Sequence, residues 1–164
     1  MRYLFLALGF ASLVSGCLAT SGGGVGSEPA GPALTSAQAD GSFSLTAIDD
    51  AALPAGKCGM ILWTLDASSP KAIMRYVSGQ AAQIEINGEV VELVLAQARG
   101  GGEFGVFEEQ TFSSETGYLA DVMINFGLGF DGGVYVERGF IKVSAASGWE
   151  IVAPAAGIVG CRGG

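Results

Sequence analysis

The feature that most constrains the fold is an alternation of apolar and polar residues in short runs, which begins at Phe43. The runs are rich in Val, Ile, Leu and aromatic residues, and Gly, Asn, Asp and Pro separate them, which is the pattern of antiparallel β-structure. None of the intervals shows a sustained helical period. The predicted strands cover residues 43–48, 59–65, 71–77, 81–86, 89–96, 103–108, 119–126, 134–143 and 149–152.

Asn87 and Gly88 lie between two alternating runs and give the clearest turn signal in the sequence. An Asn-Gly pair in this setting favours a two-residue hairpin turn in which both residues have positive φ. Such a turn pairs Ile86 with Glu89. The apolar side chains that then share one face of the hairpin are Ile84, Ile86, Val91, Leu93 and Leu95.

The segment 60–65 is apolar on both faces, which predicts a central strand that is buried on both sides. About eight short strands with frequent turns fit either an antiparallel sandwich or a small closed barrel. We therefore predict an all-β domain over residues 42–164, and the sequence leaves the choice between sandwich and barrel open.

The first residues have the composition of an export signal. Arg2 supplies a positive charge, the run 3–14 is apolar, and small residues follow it. The apolar run is too short to span a bilayer, which needs about 20 apolar residues.

The residues Val14, Ser15, Gly16 and Cys17 resemble the lipobox of bacterial lipoproteins. The resemblance implies that 1–16 is a lipoprotein signal peptide, and that Cys17 becomes the lipidated first residue. Two or three acyl chains would hold the protein on the membrane essentially permanently. By the rule for enteric lipoproteins, the absence of Asp after the Cys favours the outer membrane, so we expect the periplasmic face of that membrane. The alternative is an ordinary secretory signal that contains a Cys by chance.

Residues 17–41 consist mainly of Gly, Ser, Ala and Pro, which predicts a flexible tether after the lipidated Cys17. Random-coil scaling gives such a tether an average reach of about 25–30 Å. We therefore expect the folded domain to stay near the membrane and to reorient freely.

The chain is acidic, with eight Lys and Arg against sixteen Asp and Glu and a net charge of −8. Arg2 is the only charged residue in 1–16, so removal of the signal takes the net charge from −8 to −9. Such a surface repels nucleic acid and would attract cationic partners.

With Cys17 committed to lipid, Cys58 and Cys161 remain, in a protein expected in an oxidising compartment. A disulfide between them is the main prediction, and it would close a loop of about 100 residues, for which chain entropy gives at most about 4–5 kcal/mol. Two free thiols or a metal pair are the alternatives.

The chain contains no His, which removes most nucleophilic triads, most zinc sites and the commonest general base. Ser68 and Lys71 match the S-x-x-K pattern of penicillin-recognising enzymes, but Pro70 and the flanking strands place them in a turn. The run 99–102 predicts a mobile hairpin tip, and Asp131 predicts a hairpin turn. We predict no catalytic residue, no metal site and no cofactor, and we do not expect an enzyme.

Most aromatic residues occupy strand positions, where they would form the core. Phe112, Tyr118 and Trp149 lie near predicted turns. These three are therefore the candidates for a binding surface.

The segment Ser144, Ala145, Ala146, Ser147 and Gly148 is similar to the Ser-Gly loop of small envelope lipoproteins that inhibit C-type lysozyme. Those proteins are lipidated β-barrels with a disulfide. The chain lacks the Tyr that follows this loop and the second motif with its Lys. The resemblance implies an inhibitor of a basic, lysozyme-like hydrolase.

These observations favour a lipid-anchored lipoprotein of the cell envelope, with a non-catalytic β-domain that binds an envelope protein or has a structural role. The alternatives are the hydrolase inhibitor, a barrel that carries a lipid or another small ligand, and an enzyme of an unfamiliar kind.

Overall fold

The computed structural model describes residues 42–66 and 68–163. The predicted signal peptide, Cys17 and the tether lie outside these residues. Within the described ranges, no helix is long and apolar enough to cross a lipid bilayer. The strands are β1 (Leu45–Thr46), β2 (Cys58–Thr64), β3 (Ala72–Val77), β4 (Ala82–Ile86), β5 (Glu89–Glu103), β6 (Val106–Ser113), β7 (Leu119–Phe130), β8 (Gly133–Ser144) and β9 (Glu150–Cys161).

Strands β2 to β9 form a closed antiparallel barrel of eight strands. Each strand pairs with the next one along the chain, and β9 returns to pair with β2. This closure settles the choice between sandwich and barrel. Strand β1 lies outside this set of eight strands. The pairing of β3 with β4 ends at Ile84, and Leu45 of β1 pairs with β4 further along, at Ile86.

The barrel has two ends. We call one the entry end, because the described chain enters the barrel there, and the other the disulfide end. The entry end carries the turns 87–88, 114–118 and 145–149, and the described chain begins there at Ser42. The disulfide end carries the turns 78–81, 104–105 and 131–132, and Cys58 and Cys161 lie there.

The predicted hairpin turn at Asn87 and Gly88 is confirmed. Both residues have positive φ, 52° and 84°. Ile86 pairs with Glu89 in the predicted register. The alternation along these two strands therefore puts their apolar face inside the barrel.

Side chains fill the interior of the barrel. Tyr76 and Phe112 are both buried there and pack edge to face, with 5.1 Å between ring centroids. At the entry end Phe43 packs on Tyr118, and at the disulfide end Ser78 donates a hydrogen bond to the carbonyl of Gly105. The largest fully buried side chains are Tyr76, Phe112, Met60, Leu62, Met74, Ile84, Leu93, Ile141, Val106, Val122, Val136 and Val143.

The predicted burial of segment 60–65 on both faces is confirmed for its first half, because β2 is buried from Gly59 to Leu62. The prediction is wrong at Leu65, which lies beyond the strand and is 56% exposed. Met60 and Leu62 point into the barrel and have no exposed surface. Ile61 points outward but is only 8% exposed, because Leu53 from the segment before β2 packs against it. The outer cover of this strand is therefore a loop of the same chain.

The predicted hairpin tip at 99–102 is wrong. Strand β5 continues through these residues to Glu103, and the turn lies at Phe104 and Gly105, with φ of 51° and 77°. Gly100 has a φ of 81°, and a Cβ there would lie 2.7 Å from a carboxylate oxygen of Glu108. The glycines thus form a bulge inside a strand, where the register shifts.

Strand β9 continues to Cys161, beyond the predicted end at residue 152. Pro154 is tolerated because pairing with β2 begins only at Ala155, so the missing N–H of the proline leaves no gap in that ladder. Further along, Gly157 permits a close approach, since a Cβ there would lie 2.2 Å from the carbonyl oxygen of Ile61.

Candidate binding surfaces

The predicted disulfide between Cys58 and Cys161 is present, with an S–S distance of 1.98 Å. The two residues are register partners across β2 and β9. The bond therefore excludes the two free thiols and the metal pair.

The three aromatic candidates have different environments. Phe112 has no exposed surface, so its assignment to a binding surface is wrong. Strand β6 extends to Ser113, and the alternation along it directs Phe112 inward. Tyr118 is half-buried and lines a groove, and Trp149 is 50% exposed beside the turn before β9.

Ser68 and Lys71 lie in the turn between β2 and β3, as predicted. The Ser68 hydroxyl donates to the Asp66 carboxylate at 2.7 Å, and the Ser68 N–H donates to it at 2.9 Å. Both hydrogen bonds lower the pKa of Asp66 below its ordinary value, and the bond from the hydroxyl has the larger effect. The hydroxyl is engaged as a turn donor, which is a structural role.

Over residues 42–66 and 68–163, no group of three or more Cys, Asp or Glu side chains is arranged to hold a metal ion. Asp131 and Gly132 form the predicted turn between β7 and β8, and Gly132 has a φ of 85°.

Gln110 is a polar side chain inside the barrel, and only 2% of it is exposed. Its Oε1 accepts a hydrogen bond from the N–H of Phe107 at 3.3 Å, and its Nε2 has no partner among the described residues. A buried amide without a partner costs free energy, so Gln110 is a weak point of the core.

An open strand edge lies at the entry end. Strand β6 pairs with β5 only as far as Ser113, which lies opposite Val94. Among the described strands, β4 is therefore the one partner of the five residues Glu89–Leu93 of β5. A groove of about 610 Å³ runs along this edge, between β5 and the turn 114–118. We call it the β5 groove.

The β5 groove combines an apolar floor with acidic walls. Val91 and Tyr118 are half-buried along it, and Val90 on its outer side is 57% exposed. None of the described residues that line it is Lys or Arg. The acidic residues along it are Glu89, Glu92 and Glu115.

Glu92 is held in place by a row of side chains on the outer face of the barrel. Arg75 donates to the Oε1 of Gln83, and the Nε2 of Gln83 donates to Glu92 at 3.3 Å. The row crosses β3, β4 and β5, where these residues are register partners. Glu92 is thereby oriented beside the groove.

A second, apolar groove of about 260 Å³ lies at the disulfide end, lined by Leu53, Ile61, Phe130 and Ile158. Arg162 also lines it, and its guanidinium donates to the carbonyl of Leu53 at 2.8 Å. The guanidinium of Arg162 therefore already has a hydrogen-bond partner within the chain.

Comparison with protein-family models, curated proteins and solved structures gives no significant match. Sequence reasoning identified Tyr118 but missed the β5 groove, because the groove depends on where β6 ends. The sequence did contain a signal for this surface. By alternation, Val90, Glu92 and Val94 share the outer face of one strand, so that face combines apolar side chains with a carboxylate.

Proposed function

We propose that this protein is a lipid-anchored, non-catalytic binding domain of the cell envelope, which holds a protein partner on the outside of its barrel. The observation that carries the proposal is the filled interior. Barrels that carry small ligands keep a cavity for them, and here aromatic and aliphatic side chains occupy that space. The outer surface is therefore the place for a partner.

The β5 groove supports a protein partner over a structural role without one. An unpaired strand edge offers free backbone groups that another chain can use, and proteins usually cover or block such edges. Here the edge lies open beside a groove and among acidic side chains.

The anchor in this proposal is Cys17, which would join the domain to the membrane, with the outer membrane as its place. The anchor is tested by fractionating cells that produce the wild-type chain or Cys17→Ser, with radiolabelled palmitate in the medium. We expect label and membrane association for the wild type only. A membrane-bound, labelled Cys17→Ser chain would overturn the anchor.

The partner is tested by photo-crosslinking in intact cells. A photoreactive amino acid replaces Val90 in the β5 groove or Val152 on the outer face of β9, both more than half exposed. A discrete adduct with an envelope protein from either position supports the proposal. Absence of adducts from both positions, at normal abundance of the chain, would contradict it.

Inhibition of a lysozyme-like hydrolase is the second candidate. The turn 145–149 is closed by hydrogen bonds from Ala145 N–H to the Trp149 carbonyl and from Gly148 N–H to the Ala145 carbonyl, both at 2.9 Å. It presents the half-exposed Trp149 on an acidic domain. If C-type lysozyme keeps full activity in micromolar excess of the full-length chain, this candidate is removed.

A further inference from the structure

We propose that the β5 groove binds an extended, basic segment of the partner, which adds to β5 as an antiparallel strand. This inference rests on the proposed function and names the surface and the chemistry of the partner. It depends on the direction of backbone groups, on the charge of the groove and on the order of its side chains.

Among residues 42–66 and 68–163, no strand pairs with the backbone groups of β5 that face the groove. In a two-residue hairpin the residues that flank the turn form a hydrogen-bonded pair, here Ile86 and Glu89. Bonded and non-bonded pairs then alternate, so Val91 bonds to β4, while Val90 and Glu92 direct their N–H and C=O groups away from it. These groups point into the β5 groove.

The chain itself turns away from this edge. After Ser113 the turn 114–118 is closed by hydrogen bonds from Ser114 N–H to the Tyr118 carbonyl and from Tyr118 N–H to the Ser114 hydroxyl, both at 2.9 Å. A segment that enters the groove would therefore continue the line of β6. Five residues of edge correspond to about 17 Å of added strand.

The side chains along the groove select the composition of that segment. Within Glu89–Leu93 the outer face of β5 carries Val90 and Glu92, since Val94 already lies opposite Ser113. An added strand with Lys on its outer face would place an ammonium group near Glu92 and an aliphatic stem on Val90. Glu89 and Glu115 extend the acidic surface along the same groove. The inward side chains of the segment would contact Val91 and Tyr118.

Charge also decides between the possible occupants. The chain's own segment 18–41 contains no Lys or Arg and carries two acidic residues, Glu28 and Asp40. A second copy of the chain brings a net charge of −8. Both are repelled by the groove, whereas a basic segment of another protein is attracted.

The test measures binding of a fluorescent heptapeptide of alternating Lys and Val to the full-length chain in detergent, by fluorescence anisotropy at low and high salt. Matched probes replace each Lys by Glu, or carry a methyl group on each backbone nitrogen. We expect the Lys peptide to bind, with weaker binding at high salt, and the other two to bind at least about tenfold more weakly.

Variants locate the site. Combined Glu89→Lys and Glu92→Lys should weaken the Lys peptide by about tenfold or more, since each reversal removes an attraction and adds a repulsion. Glu103→Lys is the matched control, because this exposed residue ends the same strand at the disulfide end, and binding should change by less than about twofold. Val90→Pro removes one free N–H, leaves the ladder to β4 intact and should abolish binding.

Amide hydrogen exchange gives a readout that charge alone cannot imitate. The peptide should slow exchange at Val90 and Glu92, while Val91 is already protected by β4. Binding without this protection, equal binding of the methylated peptide, or full binding by the double charge-reversal variant would overturn strand addition. Adducts from Val152 together with no peptide binding would overturn strand addition while leaving the proposed function standing.

Discussion

Cys58 and Cys161 lie directly opposite each other in the seam between β2 and β9, and a disulfide joins them. Every other seam of the barrel joins strands that follow each other along the chain. This seam joins residues 103 positions apart. The disulfide therefore stabilises the pairing that carries the largest loop-closure entropy.

Removal of the disulfide should destabilise the domain strongly. We expect Cys58→Ala combined with Cys161→Ala to lower the free energy of unfolding by about 2–5 kcal/mol, because the unfolded chain gains the freedom of a long loop. Urea denaturation of the wild type with and without reductant, beside the double variant, measures this. A change below about 1 kcal/mol would show that strand pairing alone closes the barrel.

Phe112 and Trp149 should respond in opposite ways to truncation. Phe112→Ala leaves a cavity beside Tyr76 and should cost about 3–5 kcal/mol of unfolding free energy. Trp149→Ala removes a half-exposed side chain and should change stability by less than about 0.5 kcal/mol. Equal losses in urea denaturation would contradict the placement of Phe112 in the core.

Gly157 should tolerate no side chain, because a Cβ would lie 2.2 Å from a backbone oxygen of β2, which cannot rotate away. Gly157→Ala should lower the unfolding free energy by about 1–3 kcal/mol or more. Gly163→Ala is the control, since a Cβ there meets no atom within 4 Å. The prediction fails if the two variants unfold at the same urea concentration.

The parts of the fold that depend on neighbouring residues could be predicted from the sequence. The Asn87–Gly88 turn fixes its own φ angles and thereby the register of β4 and β5. The disulfide followed from the expected compartment and from elimination among three cysteines. Burial of the first half of β2 on both faces followed from its composition, whereas the exposure of Leu65 and the identity of the covering segment did not.

Features that depend on distant pairing could not be predicted. Closure into a barrel requires β9 to reach β2, and neither strand records its partner locally. The glycines near residue 100 have the composition of a turn, but the carboxylate of Glu108 and the pairing on both sides of the bulge keep them in a strand. Among the described strands, the edge at Glu89–Leu93 lies open because the pairing of β6 with β5 ends at Ser113.

Asp66 should titrate below the ordinary range of an aspartate. The Ser68 hydroxyl and N–H stabilise the charged carboxylate and hold its pKa down. The charged carboxylate therefore stabilises the turn at pH values above the ordinary carboxyl pKa. This stabilisation is lost as the pH falls through the lowered pKa that Asp66 has in the folded chain. Carboxyl-carbon NMR titration should show the low value, and Ser68→Ala should raise it; an unchanged pKa in that variant would assign the shift to another cause.

Gln110 should accept an apolar replacement but not a charged one. Gln110→Met removes the buried amide nitrogen that has no partner among the described residues, at the cost of the bond to Phe107, so stability should change by about 1 kcal/mol or less. Gln110→Glu keeps the shape and buries a carboxylate without a cation, so it should cost about 3 kcal/mol or more at neutral pH. Because protonation relieves that charge, the loss should shrink as the pH falls towards the ordinary carboxyl range. Urea denaturation at neutral and mildly acidic pH measures both effects, and equal, pH-independent losses in the two variants would show that water reaches Gln110.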